Sequence, residues 1–185
     1  KKVQEELLEI GEKEKKALQK QAERDGLTQL YNAAAVKAKV QELLEHTAPD
    51  SDCHLFVLLD LDNFKQINDT FGHQYGDQVL KEVADVLRKT FRRDDILGRL
   101  GGDEFVFLLR SVPGFQVMEP IFTKLCRQLQ KTYTKDGKSV TISASLGVAC
   151  APGQGSTFTE LYSKSDQALY EVKNQLKNGY RLYGN

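Results

Sequence analysis

Residues 96–109 read ILGRLGGDEFVFLL: two β-rich runs on either side of Gly101-Gly102-Asp103-Glu104. A tight, glycine-containing connection between two such runs predicts a β-hairpin, here with an acidic pair at its tip. Upstream, residues 55–59 (LFVLL) form a short apolar run of the kind that makes a central strand, and that strand is expected to end at Asp60, with Leu61 and Asp62 following. Carboxylates at the end of an apolar strand sit at a sheet edge, where ligands bind in α/β folds. If the strand and the hairpin are neighbours, Asp60 and Asp103 meet above the sheet. Carboxylates brought together repel unless a cation neutralises them, and a few oxygen ligands suit Mg²⁺, which shares its coordination with water and substrate phosphates.

Helical patterns surround this core. Residues 32–46 place Val36, Val40, Leu43 and Leu44 on one face, and residues 77–90 do the same with Val79, Leu80, Val83, Val86 and Leu87. Residues 121–133 and 158–173 read as further helices, 140–149 as a strand rich in β-branched and small residues, and 180–183 as a last edge strand. Strands alternating with helices around one hairpin predict an α/β sheet with helices packed against it. Residues 1–24 differ: helix-forming, charge-rich, and carrying a thin stripe of Val3, Leu7, Ile10, Ala17 and Gln21 near heptad spacing. They read as a linker or short coiled-coil helix, or equally as a surface helix packed on its own domain.

The 185 residues suit one domain with an appendage, and 26 basic against 26 acidic side chains give no pull toward nucleic acid or an anionic membrane. No apolar run approaches a bilayer span, so the domain is expected to touch no membrane and to work in the cytoplasm. The chain starts without Met, which reads as a piece of something longer. Cys53, Cys126 and Cys150 are scattered and odd in number, which suits a reducing compartment and three independent, small buried side chains.

The segment from Asp60 to Asp77 (DLDNFKQINDTFGHQYGD) links the two acidic sites. Lys65 adds a positive charge fit for phosphate, while Asn68 and Asp77 carry the amide and carboxylate that can read a guanine edge. Each has a plainer reading: a solvated lysine and two helix caps. This segment and the pentapeptide Gly101–Phe105 together strongly resemble the GGDEF domains, the diguanylate cyclases. Residues 25–32 (DGLTQLYN) and 166–173 (DQALYEVK) support the match, which covers roughly residues 25–185.

The resemblance implies a mostly antiparallel central sheet flanked by helices, like that of nucleotidyl cyclases and polymerase palms, preceded by the helix of residues 1–24. It implies condensation of two GTP into cyclic di-GMP and two pyrophosphates across a homodimer. Carried over, Asp60, Asp103 and the carbonyl of Leu61 hold Mg²⁺, with Mn²⁺ an alternative. Glu104 serves as a further metal ligand or helps deprotonate the attacking 3′-hydroxyl. Asn68 and Asp77 bind guanine, with His73 among the substrate-contacting positions; the amides of Asn63, Phe64 and Lys65, with Lys173 and Lys177, hold phosphates. Arg92 and Asp95 match the family's Arg-x-x-Asp inhibitory product site, although basic residues after a helix also simply complement its dipole. The helix of residues 1–24 is expected to set the dimer under an upstream sensor, in a full-length protein that could be membrane-anchored.

The match departs at Gln29, where the family usually has Gly, at Ala33 and Ala34, usually basic, and at Leu176-Lys177 in place of Gly-Arg. Lys177 keeps the charge of that arginine without its bidentate fork. The rival readings are a non-catalytic receptor for GTP or cyclic di-GMP, a cyclase that also accepts ATP, and a bare coiled-coil module. The intact pentapeptide opposes the first. Asp77 opposes the second, because adenine offers no matching donor pair.

Overall fold

The structure, a computed structural model, describes residues 1–175 and 177–185; the departure at Leu176 lies outside them. The apolar run at 55–59 belongs to a longer strand, β1 (Cys53–Asp62). The hairpin forms as expected from β2 (Ile96–Gly101) and β3 (Glu104–Val112). Its turn takes φ of 142° at Gly101 and 50° at Gly102, conformations that a side chain would oppose. β4 (Lys131–Lys135), β5 (Lys138–Ala151) and β6 (Gly179–Leu182) complete the sheet in the order β2-β3-β1-β5-β4, with β6 beside β5. All pairings are antiparallel except β5 with β6, so the mostly antiparallel sheet is as expected.

Strand alternation decides which helices cover which face. Leu55, Val57, Leu59, Phe105, Phe107 and Leu109 bury themselves with Val79, Val83, Leu87, Phe122 and Leu125. These come from α4 (His73–Thr90) and α5 (Phe115–Leu129). On the other face Phe56, Leu58, Val106 and Leu108 pack with Val36, Val40, Leu44, Phe158, Leu161 and Leu169. Those come from α2 (Ala33–Glu45) and α6 (Phe158–Gln175). α6 lies very close to β5 at Gly147, where a Cβ would stand 1.9 Å from the Ser165 carbonyl oxygen.

Several boundaries differ from expectation. Asp60 does not close β1; the strand runs on through Asp62, so both acids occupy strand positions on one face. A short helix, α3 (Phe64–Phe71), was not anticipated; it buries Phe64 and Ile67 before turning at Gly72. The segment 121–133 divides: α5 ends at Leu129, and Lys131–Lys135 becomes an edge strand whose Tyr133 alone points inward. Its central Thr-Tyr-Thr, residue types that favour strands, suits a half-buried strand. The cysteines are also corrected. Cys53 and Cys150, far apart in sequence but with Cα atoms 6.3 Å apart, are brought to disulfide distance across β1 and β5, apart from the buried Cys126. Adjacent strands bring together residues that sequence spacing keeps separate.

α1 (Lys2–Ala22) buries none of its residues, and Val3, Leu7, Leu8, Ile10 and Leu18 remain exposed. The surface-packed alternative for residues 1–24 therefore does not hold in this chain. Among the described residues no helix is long and apolar enough to cross a membrane.

Candidate active site

The acidic residues gather on the face that α6 covers. Asp60 in β1 lies opposite Glu104 in β3 on one side and Ser145 in β5 on the other. Asp103, at the hairpin tip, accepts the Leu61 N–H through its backbone carbonyl at 3.3 Å, which ties the turn to β1. Its carboxyl is pushed up to about 6, first by burial and then by the Asp60 carboxylate beside it. The strand and the hairpin tip thus converge.

Lys173 comes down from α6 onto this group. Its Nζ is 2.9 Å from Asp60 Oδ2 and 3.3 Å from Asp62 Oδ1. Burial, the largest single influence, would lower its pKa, but the contacts with the two carboxylates together outweigh it and hold the pKa above the usual lysine value. Asp62 itself is almost wholly buried. It accepts from Ser143 Oγ at 2.6 Å, from Ser145 Oγ at 2.9 Å and from the Asn178 N–H at 3.2 Å. A buried carboxylate is tolerated only with such partners. Asp62 therefore anchors Lys173 and the turn after α6, a role the sequence reading missed. The signal was available, because in a strand Asp60 and Asp62 share a face, as do Ser143 and Ser145.

A divalent cation fits this donor set. Two adjoining carboxylates already raise the pKa of one of them, and a lysine ammonium stands against them as a cation. Among the described residues no three His, Cys, Asp or Glu side chains converge on one point. A cation here would take Asp60 and Asp103 and fill its other positions with backbone oxygen, water and phosphate, which is the habit of Mg²⁺. Glu104 is turned elsewhere: Tyr162 Oη donates to its Oε1 at 2.9 Å.

The remaining predicted residues lie at the start of α3, on α3 and α4, and in the turn after α6. Asn63 caps α3 in a left-handed conformation, φ 64°, and makes no side-chain cap. The first amides of that helix, including Phe64 and Lys65, are of the kind left without helical partners. Lys65, His73 and Asp77 are exposed. Asn68 lies in α3 rather than at a cap and packs on Gly76 of α4, the neighbour of Asp77; a Cβ at Gly76 would fall 1.9 Å from Asn68 Oδ1. The two expected guanine readers are thus brought to one corner. Lys177 is exposed and stands next to Asn178, with φ 54°.

Arg92 and Asp95 lie away from this centre, at the entry to β2. The Asp95 side chain is only 3% exposed and accepts the N–H groups of Arg92 at 2.9 Å and Arg110 at 3.0 Å. The Arg92 guanidinium is largely exposed and 3.5 Å from Asp95.

Residues 22–179 match the model of the family described as "Diguanylate cyclase, GGDEF domain". The chain belongs to the GGDEF diguanylate cyclase family. It is 36% identical over 159 residues to the bifunctional diguanylate cyclase/cyclic di-GMP phosphodiesterase MucR of Pseudomonas aeruginosa, covering 86% of this chain and 23% of MucR. The structure of the GGDEF domain of TpbB from Pseudomonas aeruginosa superposes with a TM-score of 0.78 at 32% identity, over 86% of this chain and 94% of that one. That of DgcB from Caulobacter crescentus in complex with c-di-GMP superposes with a TM-score of 0.79 at 26% identity, over 89% and 94%. The chain therefore spans about a quarter of MucR but nearly all of the isolated GGDEF domains. This GGDEF fold presents its pentapeptide intact, with Asp103 and Glu104 on the rim of the α6-covered face.

Proposed function

We propose that this domain is an active diguanylate cyclase, condensing two GTP into cyclic di-GMP and two pyrophosphates. The observation that carries the reading is the meeting of Asp60 and Asp103 beneath Lys173, at the end of β1 from which the chain passes directly into α3. When bound, Mg²⁺ or Mn²⁺ would neutralise the charge on the attacking and leaving oxygens. Asp60, Asp103 and the carbonyl of Leu61 would hold it. The amides of Asn63 to Lys65 would receive the phosphates as a helix N-terminus does, with Lys173 and Lys177 adding charge. Asp77 and Asn68 would accept from and donate to the guanine edge, with His73 nearby, which selects GTP over ATP.

In each of two steps a ribose 3′-oxygen bonds to the α-phosphorus of the other nucleotide as the bond to the pyrophosphate oxygen breaks. The hydroxyl proton passes to an acidic group, a role we assign to Glu104, which faces Asp60 across the β1–β3 ladder. One domain supplies one nucleotide, so two domains must face each other, a two-fold arrangement. The exposed apolar side chains of α1 suit pairing with a second copy, through which an upstream sensor would act. A cytoplasmic setting, where GTP is available, follows from the same reading.

Product inhibition is proposed through Arg92, whose guanidinium donates to the Arg110 carbonyl and lies near Asp95 yet stays largely exposed, so that it can turn to a guanine or phosphate. Asp95, with both oxygens taken by backbone amides, would contribute chiefly by holding that turn. The DgcB domain's complex with c-di-GMP supports product binding to this kind of fold.

The test is direct. Purified protein with Mg²⁺ and GTP should yield cyclic di-GMP at a rate per chain that rises with protein concentration, and ATP should not substitute. Asp103→Ala should abolish turnover with the fold retained, and Arg92→Ala should relieve inhibition by added product. Absence of product from folded, dimeric protein would overturn the reading in favour of a nucleotide-binding signalling module.

A further inference from the structure

α6 delivers two polar groups onto the acidic row. Lys173 meets Asp60, and Tyr162, about three helical turns earlier on the same side, meets Glu104. The Tyr162 ring is fixed from behind. It stacks on Phe158 with centroids 6.1 Å apart, and Phe158 in turn meets Phe56 of β1 edge-on at 5.2 Å. Its hydroxyl is therefore presented by a rigid aromatic stack rather than by a mobile arm. Among the described residues it is the one hydrogen-bond partner of the Glu104 side chain.

This bond decides where Glu104 goes. Glu104 lies directly across from Asp60 in the β1–β3 ladder, and facing residues of this kind have Cβ atoms about 5 Å apart. Like charges in that relation repel, yet both would be drawn to a common cation. A phenol hydrogen bond to one Glu104 oxygen settles the conflict by holding the carboxylate toward α6. A phenylalanine would fill the same space and supply the same stacking, so packing alone does not call for the hydroxyl.

We propose that Tyr162 is a positioning residue for the reaction: its hydroxyl fixes the pose of Glu104, so that a divalent ion is held by Asp60 and Asp103 while Glu104 acts from the side on the substrate. The proposal rests on the diguanylate cyclase reading above. With the hydroxyl gone, Glu104 swings to the cation and is lost to the reaction.

The experiment uses Tyr162→Phe in the full chain, alone and with Glu104→Gln, each checked for an unchanged thermal midpoint. Mn²⁺ is titrated without nucleotide, and steady-state kinetics are measured with GTP. Tyr162→Phe should tighten Mn²⁺ binding by about threefold or more and lower kcat by roughly tenfold, the scale of one hydrogen bond to a charged group, with KM for GTP changed less than about twofold. In the Glu104→Gln background, Tyr162→Phe should shift Mn²⁺ binding no further. Wild-type values for Tyr162→Phe in both assays, or a metal shift that persists without the Glu104 carboxylate, would overturn the proposal. A wild-type protein that binds Mn²⁺ and makes cyclic di-GMP while Tyr162→Phe is unaltered sinks only the role of Tyr162. A wild-type protein that does neither sinks the enzymatic reading instead.

Discussion

Lys173→Gln should move metal binding and nucleotide binding in opposite directions. The ammonium lies 2.9 Å from Asp60 and 3.3 Å from Asp62, with the Lys173 and Asp60 side chains 28% and 29% exposed. A cation arriving between Asp60 and Asp103 must first break the contact with Asp60. A pair so open to solvent is worth about 1 kcal/mol at most, so removing the competitor should tighten metal binding up to about fivefold. The same ammonium is expected to leave Asp60 for the triphosphate, where a charge-assisted bond contributes about 1.5–3 kcal/mol; Lys173→Gln should therefore weaken nucleotide binding by roughly 10- to 100-fold. Folding should survive, because Asp62 keeps Ser143, Ser145 and the Asn178 amide. Calorimetric titration with Mn²⁺ alone, then with a non-hydrolysable GTP analogue and Mn²⁺, separates the two effects. The measurement belongs at pH 8, where Asp103 is ionised and does not confuse the comparison. Weaker Mn²⁺ binding by Lys173→Gln in the absence of nucleotide would show that the lysine helps to hold the metal, and the reasoning would fail.

Asp103, raised from 3.8 to about 6, gives a pH dependence of defined sign. Between about pH 4 and 6 the folded protein holds a proton that the unfolded chain has released, so this group's contribution to metal-free stability falls as pH rises through that window. Asp103→Asn should flatten that slope in thermal melts and raise the metal-free midpoint at pH 7, and parallel slopes for the two proteins would refute it. Gly147→Ala would place a methyl 1.9 Å from the Ser165 carbonyl oxygen and 2.5 Å from the Leu169 nitrogen, backbone atoms that cannot turn aside. A cost of about 3 kcal/mol and a midpoint roughly 6–12 °C lower are expected; a shift under about 2 °C would show that α6 lifts freely. Gln29 holds φ 61°, a left-handed conformation costing a non-glycine about 1–2 kcal/mol, part of which the extra chain entropy of glycine offsets. Gln29→Gly should therefore stabilise by about 0.5–1 kcal/mol by chemical denaturation, and a destabilised variant would show that the side-chain bonds from Gln29 to the Asp25 and Gly26 carbonyls outweigh the strain.

The hairpin and its acidic tip were legible because glycine pairs between β-rich runs have few alternatives. The central strand was legible from its apolar core, but its end was not. Asp60 and Asp62 looked like punctuation after a hydrophobic run. In fact the strand continues because Ser143, Ser145 and Lys173 supply, from elsewhere in the chain, the partners that make buried carboxylates tolerable. Local pattern cannot see such partners. The same holds for β4, whose Lys131–Lys135 segment gains strand geometry only by pairing with β5, and for the closeness of Cys53 and Cys150. Gln29 is the converse case. The departure from the family's glycine was visible in the sequence, but its consequence became a backbone angle only in three dimensions.

α6 explains why Asp62 and Tyr162 escaped a reading by motif. Its apolar residues Phe158, Leu161, Leu169 and Val172 pay for its seat on the sheet, and Gly147 lets it sit close. That closeness puts Tyr162 and Lys173 within hydrogen-bond range of Glu104 and Asp60 at about the spacing of three helical turns. The acidic row would be unstable by itself on an otherwise apolar sheet face; Asp103's raised pKa records that tension. In the metal-free protein the helix relieves it with one ammonium and one phenol. An arriving cation and triphosphate would take over the ammonium's task, free Lys173 for phosphate, and leave the phenol as the remaining constraint on Glu104. On this view binding of substrate and release of a structural ion pair are one event, and the stiffness of α6 on β5 sets how precisely it is repeated.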